Sequence, residues 1–440
     1  MISLHIGIDD MDSPYGMCTT FIATKIYRAL TSAGIAKPLD FPYLVRLNPN
    51  IPFKTRGNGA VSLHFALRRS LIGKVVRLVS EYIKRYAETH GKTEPAALII
   101  AGLLNPIRRI YRKALYDVVP LEYVKEIIEN SEKIPLYIIG GGRGLVGAAA
   151  AIGAYPLKEY TYELLIYRDP LMRRKRPYDR DIVLEIDRQT RPQTFANIDY
   201  ERKRPLIYPH GPDPVIAGIR SFKLETLEEI ARKLARIWEI DCWEIFKTNQ
   251  GFGVHLRNYA SIEKIRPYQS VCLLGRVATR PRIIRGGHLF FRIEFKGYSI
   301  LCAVFKETGL LNRVARLLRV GDLVEIYGGV SPPSKSQEIT VNVEMIRVVK
   351  PRRVFTVEKE RCPRCGGAFT SVGKNKGYKC KKCGFRTPKI RYRRKTVPPL
   401  LEPGLYMQSP RAYRHLSLAK RYLDYCGALP EALRPLLPRV

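Results

Sequence analysis

Residues 3–30 read SLHIGIDDMDSPYGMCTTFIATKIYRAL. The first six are strand-like, and TTFIATKIYRAL places Ile22, Ile26 and Leu30 on one stripe of a helix. Between them, Asp9, Asp10 and Asp12 put three carboxylates into four positions, with Thr19 and Thr20 at the mouth of the helix. A strand ending in Asp-Asp-x-Asp delivers its carboxylates at its C-terminal edge, where open α/β sheets carry their sites. Hard oxygen donors in a short loop suit Mg2+, which would bridge to nucleotide phosphates. The plainer reading is a turn that caps the helix through Thr19 or Thr20. A turn needs one Asp, whereas three repel one another unless a cation lies among them, which favours the metal.

The acidic knot stands in a basic chain. Its 440 residues carry 76 Lys+Arg against 40 Asp+Glu, a formal charge of +36. An excess of that size points to phosphate, and nucleic acid is the commonest polyphosphate. The basic residues are spread along the chain, with no juxtamembrane cluster, so an acidic membrane is the weaker partner. With 45% hydrophobic residues the chain buries real cores. MISLHIGIDD has neither the basic start nor the apolar core of a signal peptide, and LYIIGGGRGLVGAAAAIGAY is too interrupted to span a membrane. The expected compartment is a reducing cytoplasm.

Outward from the first strand, β-like and helical runs alternate through residues 1–115 and again through 116–260. From 266 the texture is β-rich: three strands, a short helix at LLNRVARLLRV and two more strands, the order of an OB barrel. Cys362, Cys365, Cys380 and Cys383 then follow as C-x2-C-x14-C-x2-C. Four thiolates at this spacing satisfy a closed tetrahedral zinc site; iron fits the same cage, but zinc is expected in a structural one. Residues 351–395 hold 16 Lys+Arg against 2 Asp+Glu, which makes the ribbon a nucleic-acid grip.

Two glycine loops invite phosphate. KTRGNG (54–59) flanks a turn with Lys54 and Arg56 while Gly57 and Gly59 bare the backbone N–H groups, although an ordinary solvated loop reads equally well. GRGLVG fits G-x-G-x-x-G through Gly142, Gly144 and Gly147, between a strand and a helix. That fingerprint opens the alternative of an NAD-dependent dehydrogenase; close helix–strand packing explains the glycines at least as well.

GIDDMDSPYGMCTT, RLNPNIPFKTRGNGAVS, GRGLVGAAAAIGA, YELLIYR, PHGPDPVIAGIRS, TNQGFGVHL, the OB-like stretch and the four-cysteine ribbon occur in the order found in archaeal tRNA(Ile) 2-agmatinylcytidine synthetases, the TiaS family, which this chain resembles over nearly its whole length. The resemblance implies a multidomain α+β protein. An atypical kinase-like ATP/Mg domain would occupy 1–115 and a ferredoxin-like domain 116–260, able to interleave with the first. An OB-fold would occupy 266–350, a zinc ribbon 358–390, and a basic tail 391–440. It implies an ATP-dependent ligase that joins agmatine to C2 of the wobble cytidine of the isoleucine tRNA with anticodon CAU, with AMP and pyrophosphate released. Asp9, Asp10 and Asp12 match the family's metal and nucleotide site, and Thr19 its self-phosphorylated threonine. Lys54, Arg56, Asn58 and Gly59 fall in a motif expected to hold phosphates; Gly142 and Gly144 join them. The cationic agmatine needs carboxylates, for which Asp199 and Asp213 are candidates. The expected cofactors are Mg2+ with ATP and a structural Zn2+; the expected partners are tRNA, ATP and agmatine, with no membrane. Met11, Ser221 and the run Phe252, Gly253, Val254 depart from the family pattern. A non-catalytic OB/zinc-ribbon single-strand binding protein competes with the ligase, but leaves the acidic knot unexplained.

Overall fold

A computed structural model describes residues 1–54, 57–87, 93–102, 105–130, 136–170, 176–335 and 337–419. The opening strand is β1 (Ile2–Asp9), and the helix after the acidic turn is α1 (Thr19–Ser32). Then come β2 (Tyr43–Arg46), β3 (Gly59–Leu67), α2 (Ile72–Tyr86), β4 (Ala96–Ala101), α3 (Asn105–Ala114), α4 (Leu121–Glu129), β5 (Leu136–Gly140) and α5 (Gly144–Gly153). A second α/β half follows with β6 (Thr161–Tyr167), α6 (Arg180–Thr190), β7 (Val215–Ser221), α7 (Leu224–Ala235) and β8 (Cys242–Thr248).

Both halves build one sheet, in the order β5-β4-β1-β3-β2-β8-β6-β7. All neighbours are antiparallel except at the seam, where Lys247 and Thr248 of β8 pair in parallel with Tyr43 and Leu44 of β2. Alternation along β1 sorts the core. Leu4, Ile6 and Ile8 pack with Ile22, Ile26 and Leu30 of α1 and with α2, and this cluster runs across the seam to Tyr167 and Phe246. On the opposite face Leu98 and Ile100 of β4 meet α3, α4 and the Ala-rich α5. α5 lies almost on the strand: a Cβ at Gly7 would come 2.1 Å from the carbonyl oxygen of Ala148. Met11 faces the core and is fully buried, so its side chain serves packing.

The OB expectation holds. Strands β9 (Ser270–Val277), β10 (Leu289–Phe295), β11 (Tyr298–Val304), β12 (Leu323–Ser331) and β13 (Thr340–Lys350), with α8 (Leu310–Ala315) after the third, close a barrel as β9-β12-β13-β11-β10-β9. It docks on the first half through the RLNPN motif: Asn48 Nδ2 donates to the Tyr268 carbonyl at 2.8 Å and Asn50 Nδ2 to Ser270 Oγ at 2.8 Å. The zinc ribbon follows as short strands around the four cysteines. Residues 404–419 of the expected tail then return to the main body; residues 420–440 lie outside the described residues.

Candidate active site and metal centre

β1 ends at Asp9, and Asp10 adopts a left-handed backbone (φ 58°), a conformation that Asp tolerates better than most residues. The turn brings Asp9, Asp10 and Asp12 to one cavity, whose wall also carries Lys54, Gly57, Asn58, Gly59, Asp117, Arg143, Gly144 and Gly147. The acidic knot and both glycine loops therefore converge, although some 130 residues separate Asp10 from Arg143 in the chain. Arg56 lies outside the described residues. Lys54 Nζ donates to the Pro49 carbonyl, and Asn58 Nδ2 to the Asn48 carbonyl at 2.9 Å.

Asp9 is tied to α5 by shape. A Cβ at Gly147 would lie 1.7 Å from Asp9 Oδ2, so only glycine admits the carboxylate here. Burial, then the charges of Asp10 and Asp12, push the Asp9 carboxyl well above its ordinary range. A bound cation reverses that cost. The three carboxylates line one cavity without closing into a cage; among the described residues only the four cysteines cluster as a complete donor set. That suits Mg2+, which takes one or two carboxylates and completes its shell with phosphate and water.

Glu94 bridges the knot and the second glycine loop. Its N–H donates to Asp10 Oδ2 at 2.7 Å, and its carboxylate accepts from the Arg143 N–H at 2.8 Å. Gly142 has φ 60° and faces the Glu94 side chain, while Gly144 starts α5 at the cavity wall. A helix N-terminus there offers N–H groups to phosphate. The Arg143 guanidinium stacks 4.1 Å over Phe53 at the rim. A dinucleotide fold is excluded: β5, which feeds the GRGLVG turn, pairs antiparallel with β4, whereas a Rossmann unit is parallel.

Thr19 opens α1, and the N-cap is Cys18, not a threonine, with no side-chain cap bond. Thr19 Oγ1 instead accepts from the Met11 N–H at 3.3 Å and reaches Asp12 Oδ1 at 3.4 Å. A second cavity of about 230 Å³ opens beside it, lined by Asp12, Thr19, Arg46, Glu163, Tyr208, Asp213, Arg220 and His415. Glu163, in the middle of β6, holds two arginines: Arg220 Nε at 3.2 Å and Arg46 Nη2 at 3.7 Å. Asp213 is thus beside Thr19, with one oxygen accepting from the Val215 N–H at 3.1 Å. Asp199 is elsewhere: it lines a separate cleft with Tyr200, Glu201 and Tyr413, 3.6 Å from Arg411.

In the ribbon, Cys362 and Cys383 sulfurs are 3.6 Å apart and Cys365 and Cys380 sulfurs 3.5 Å, near the roughly 3.8 Å edge of a tetrahedron with Zn–S bonds of about 2.3 Å. The Cys383 and Lys382 backbone N–H groups hold the Cys380 thiol down at about 6. The donor set fits zinc.

Family models match four stretches of the chain in this order. The TiaS TCKD domain matches residues 5–77, the TiaS FLD domain 142–255, an OB-fold nucleic acid binding domain 271–349 and the TiaS C-terminal zinc ribbon domain 359–396. The tRNA(Ile2) 2-agmatinylcytidine synthetase TiaS of Thermofilum pendens is 45% identical over 95% of this chain and 94% of its own. That of Pyrococcus horikoshii is 40% identical over 94% and 96%. The chain belongs to the TiaS family. Among solved structures, a TiaS-tRNA(Ile2)-ATP complex superposes with a TM-score of 0.78 at 35% identity, covering 95% of this chain and 97% of that one. A TiaS-tRNA(Ile2)-AMPCPP-agmatine complex gives 0.76 at 33%, over 95% and 96%.

Within the TiaS framework, side chains at the site that went unremarked at the sequence level include Arg46, Glu94, Glu163, Arg220 and His415. Glu163 carried a signal, a lone carboxylate inside the apolar run YELLIYR. A charge almost never stays buried in a strand without a partner.

Proposed function

We propose that this chain is an ATP-dependent ligase that joins agmatine to C2 of the wobble cytidine of the isoleucine tRNA with anticodon CAU, so that it decodes AUA. The observation that carries the reading is the convergence of the acidic knot, the Lys54–Gly59 loop and the α5 N-terminus on one cavity, with Thr19 beside it. Asp9 and Asp12 would hold Mg2+ with ATP, and the metal would offset phosphate charge and fix the transferred group. The Asn58 and Gly59 backbone and the start of α5 hold the phosphates; Thr19, hydrogen-bonded to Asp12, is the phosphoryl acceptor. Water takes AMP from ATP, and one phosphoryl group of the remaining β,γ-unit passes to the C2 oxygen. The agmatine amine then attacks C2, the C2–O bond breaks and that oxygen leaves in phosphate, so each ATP ends as AMP and two phosphates rather than as AMP and intact pyrophosphate. Asp213, on the Thr19 cavity, is the better placed of the two candidate carboxylates for a guanidinium. The cytidine leaves its stack to reach the cavity, as enzymes acting on a base require.

The OB barrel and zinc ribbon grip the RNA. Among the described residues no helix is long and apolar enough to cross a membrane. Thiolate zinc and a tRNA substrate fit the cytoplasm. Incubating the protein with anticodon-CAU tRNA, ATP and agmatine, then mass-analysing the anticodon fragment, tests the reading. An unmodified cytidine under conditions where ATP binds would overturn it.

A further inference from the structure

Residues 404–419 turn back from the ribbon to the first half of the molecule. Gly404–Met407 adds a strand to the barrel, pairing with Met345–Val348 of β13. Arg411 then pairs with Glu201, Ser417 Oγ donates to Glu344 Oε2 at 3.2 Å, and Arg414 Nη1 lies 3.7 Å from Glu344 Oε1. The Gly253 N–H donates to the Leu416 carbonyl at 3.0 Å, and Leu416 shares a small core with Phe252 and Val254. The Phe252–Val254 departure from the family pattern is the seat of this segment.

His415 sits half-buried at the centre of the segment. Arg220 Nη2 lies 3.2 Å from its Nδ1. A guanidinium has no acceptor, so Nδ1 accepts and the ring proton sits on Nε2. Burial, then Arg46, Arg220 and Lys54, push the His415 pKa well down, which keeps the ring neutral. Its other edge abuts the phosphate loop: a Cβ at Gly57 would lie 2.7 Å from Nε2. His415 thus spans the gap between the Lys54–Gly59 loop and the Arg220–Glu163–Arg46 cluster.

We propose that residues 404–419 are a strap that completes the catalytic pocket, with His415 as a positioning residue that holds Arg220 through Nδ1 and braces the phosphate loop. No proton or group passes through it. The strap is continuous with a barrel strand, so the module that grips RNA and the pocket that does the chemistry are joined through one segment. The proposal rests on the ligase reading for its activity arm.

The test compares His415→Asn with His415→Leu in the full chain. Asn keeps an acceptor near the Nδ1 position, whereas Leu keeps the volume without one. Losing the charge-assisted bond in His415→Leu is expected to lower kcat for tRNA modification about tenfold, with tRNA Kd within roughly twofold of wild type and His415→Asn within roughly threefold in kcat. A non-hydrolysable ATP analogue, titrated calorimetrically, is expected to bind His415→Leu more weakly than His415→Asn. Equal behaviour of the two variants in both measurements overturns the proposal. If wild type makes no modified tRNA, the ligase reading fails, and the analogue titration still decides the strap. If His415→Leu does not fold, Arg414→Gln with Ser417→Ala loosens the strap at Glu344 instead; an unchanged kcat and analogue affinity in that double variant would also overturn it.

Discussion

At Gly147 a hydrogen stands where any other residue would place a carbon 1.7 Å from Asp9 Oδ2. Gly147→Ala should expel the carboxylate from its place against α5. Overpacking of this kind costs about 1–3 kcal/mol, and ATP turnover should fall well beyond what that loss explains. Asp9→Asn acts on the same atom with the opposite sign in stability. Burial and the neighbouring Asp10 and Asp12 oppose the charge on Asp9, so a neutral isostere should leave the nucleotide-free melting temperature equal or higher while abolishing ATP turnover. Thermal melts and ATP hydrolysis on the two variants check both statements; retained turnover in Asp9→Asn reduces the knot to a turn. At this scale the knot was legible because like charges crowd in sequence as they do in space. The partners of Glu163 were not: its pairs join β6 to Arg46 of β2 and Arg220 of β7, and Arg220 reaches His415 of the strap, all more than fifty residues apart, and no local pattern marks them.

Elements whose partners are sequence neighbours were legible in kind. The barrel strands and the knuckles each contact the next element along, so order and spacing carry the architecture. The two Cys-x-x-Cys steps close through the Gly366 N–H to Cys362 carbonyl bond at 2.8 Å and the Gly384 N–H to Cys380 carbonyl bond at 3.1 Å, both local. Cys380→Ser removes a thiolate that the Cys383 and Lys382 backbone N–H groups stabilise. Purified wild type should carry about one zinc per chain, and the variant close to none, by elemental analysis. Binding of tRNA should weaken with the metal, because the ribbon has too small a core to hold its basic surface in shape alone: Phe369, Ile390 and the buried cysteines are most of it. Unchanged tRNA affinity in a zinc-free variant would show that the ribbon's shape is not what binds.

The whole molecule is tied together by contacts that no periodicity announces. The seam between the two α/β halves rests on Tyr43–Leu44 against Lys247–Thr248, and the tail becomes a strap through its strand on β13 and through acids of two modules, Glu201 of the second half and Glu344 of the barrel. Glu344, on β13, meets His255 from the second half at 3.3 Å and Arg414 from the strap. Burial raises its pKa, but His255 and the Arg414 guanidinium beside it outweigh that and hold the carboxyl at about 2. A carboxyl depressed in the folded state stabilises above its unfolded value, about 4.3, and that contribution, on the order of 3 kcal/mol, is lost as the pH falls from there towards 2. Glu344→Gln should flatten the acid limb of the stability profile, measured by denaturant melts between those limits. The net charge of +36 acts at the same scale. Each phosphate neutralised releases a counterion, so log Kd for tRNA should rise with log salt with a slope of several units. Arg391, Arg393, Arg394 and Lys395 lie on the exposed Tyr392–Val397 strand and its approach, paired with Val354–Lys359 and away from the ATP cavity. Neutralising all four should make the slope shallower by about the number of phosphates they contact, with ATP turnover per bound tRNA unchanged. A slope that stays at the wild-type value, measured between low and physiological salt, would place the grip on other surfaces of the chain.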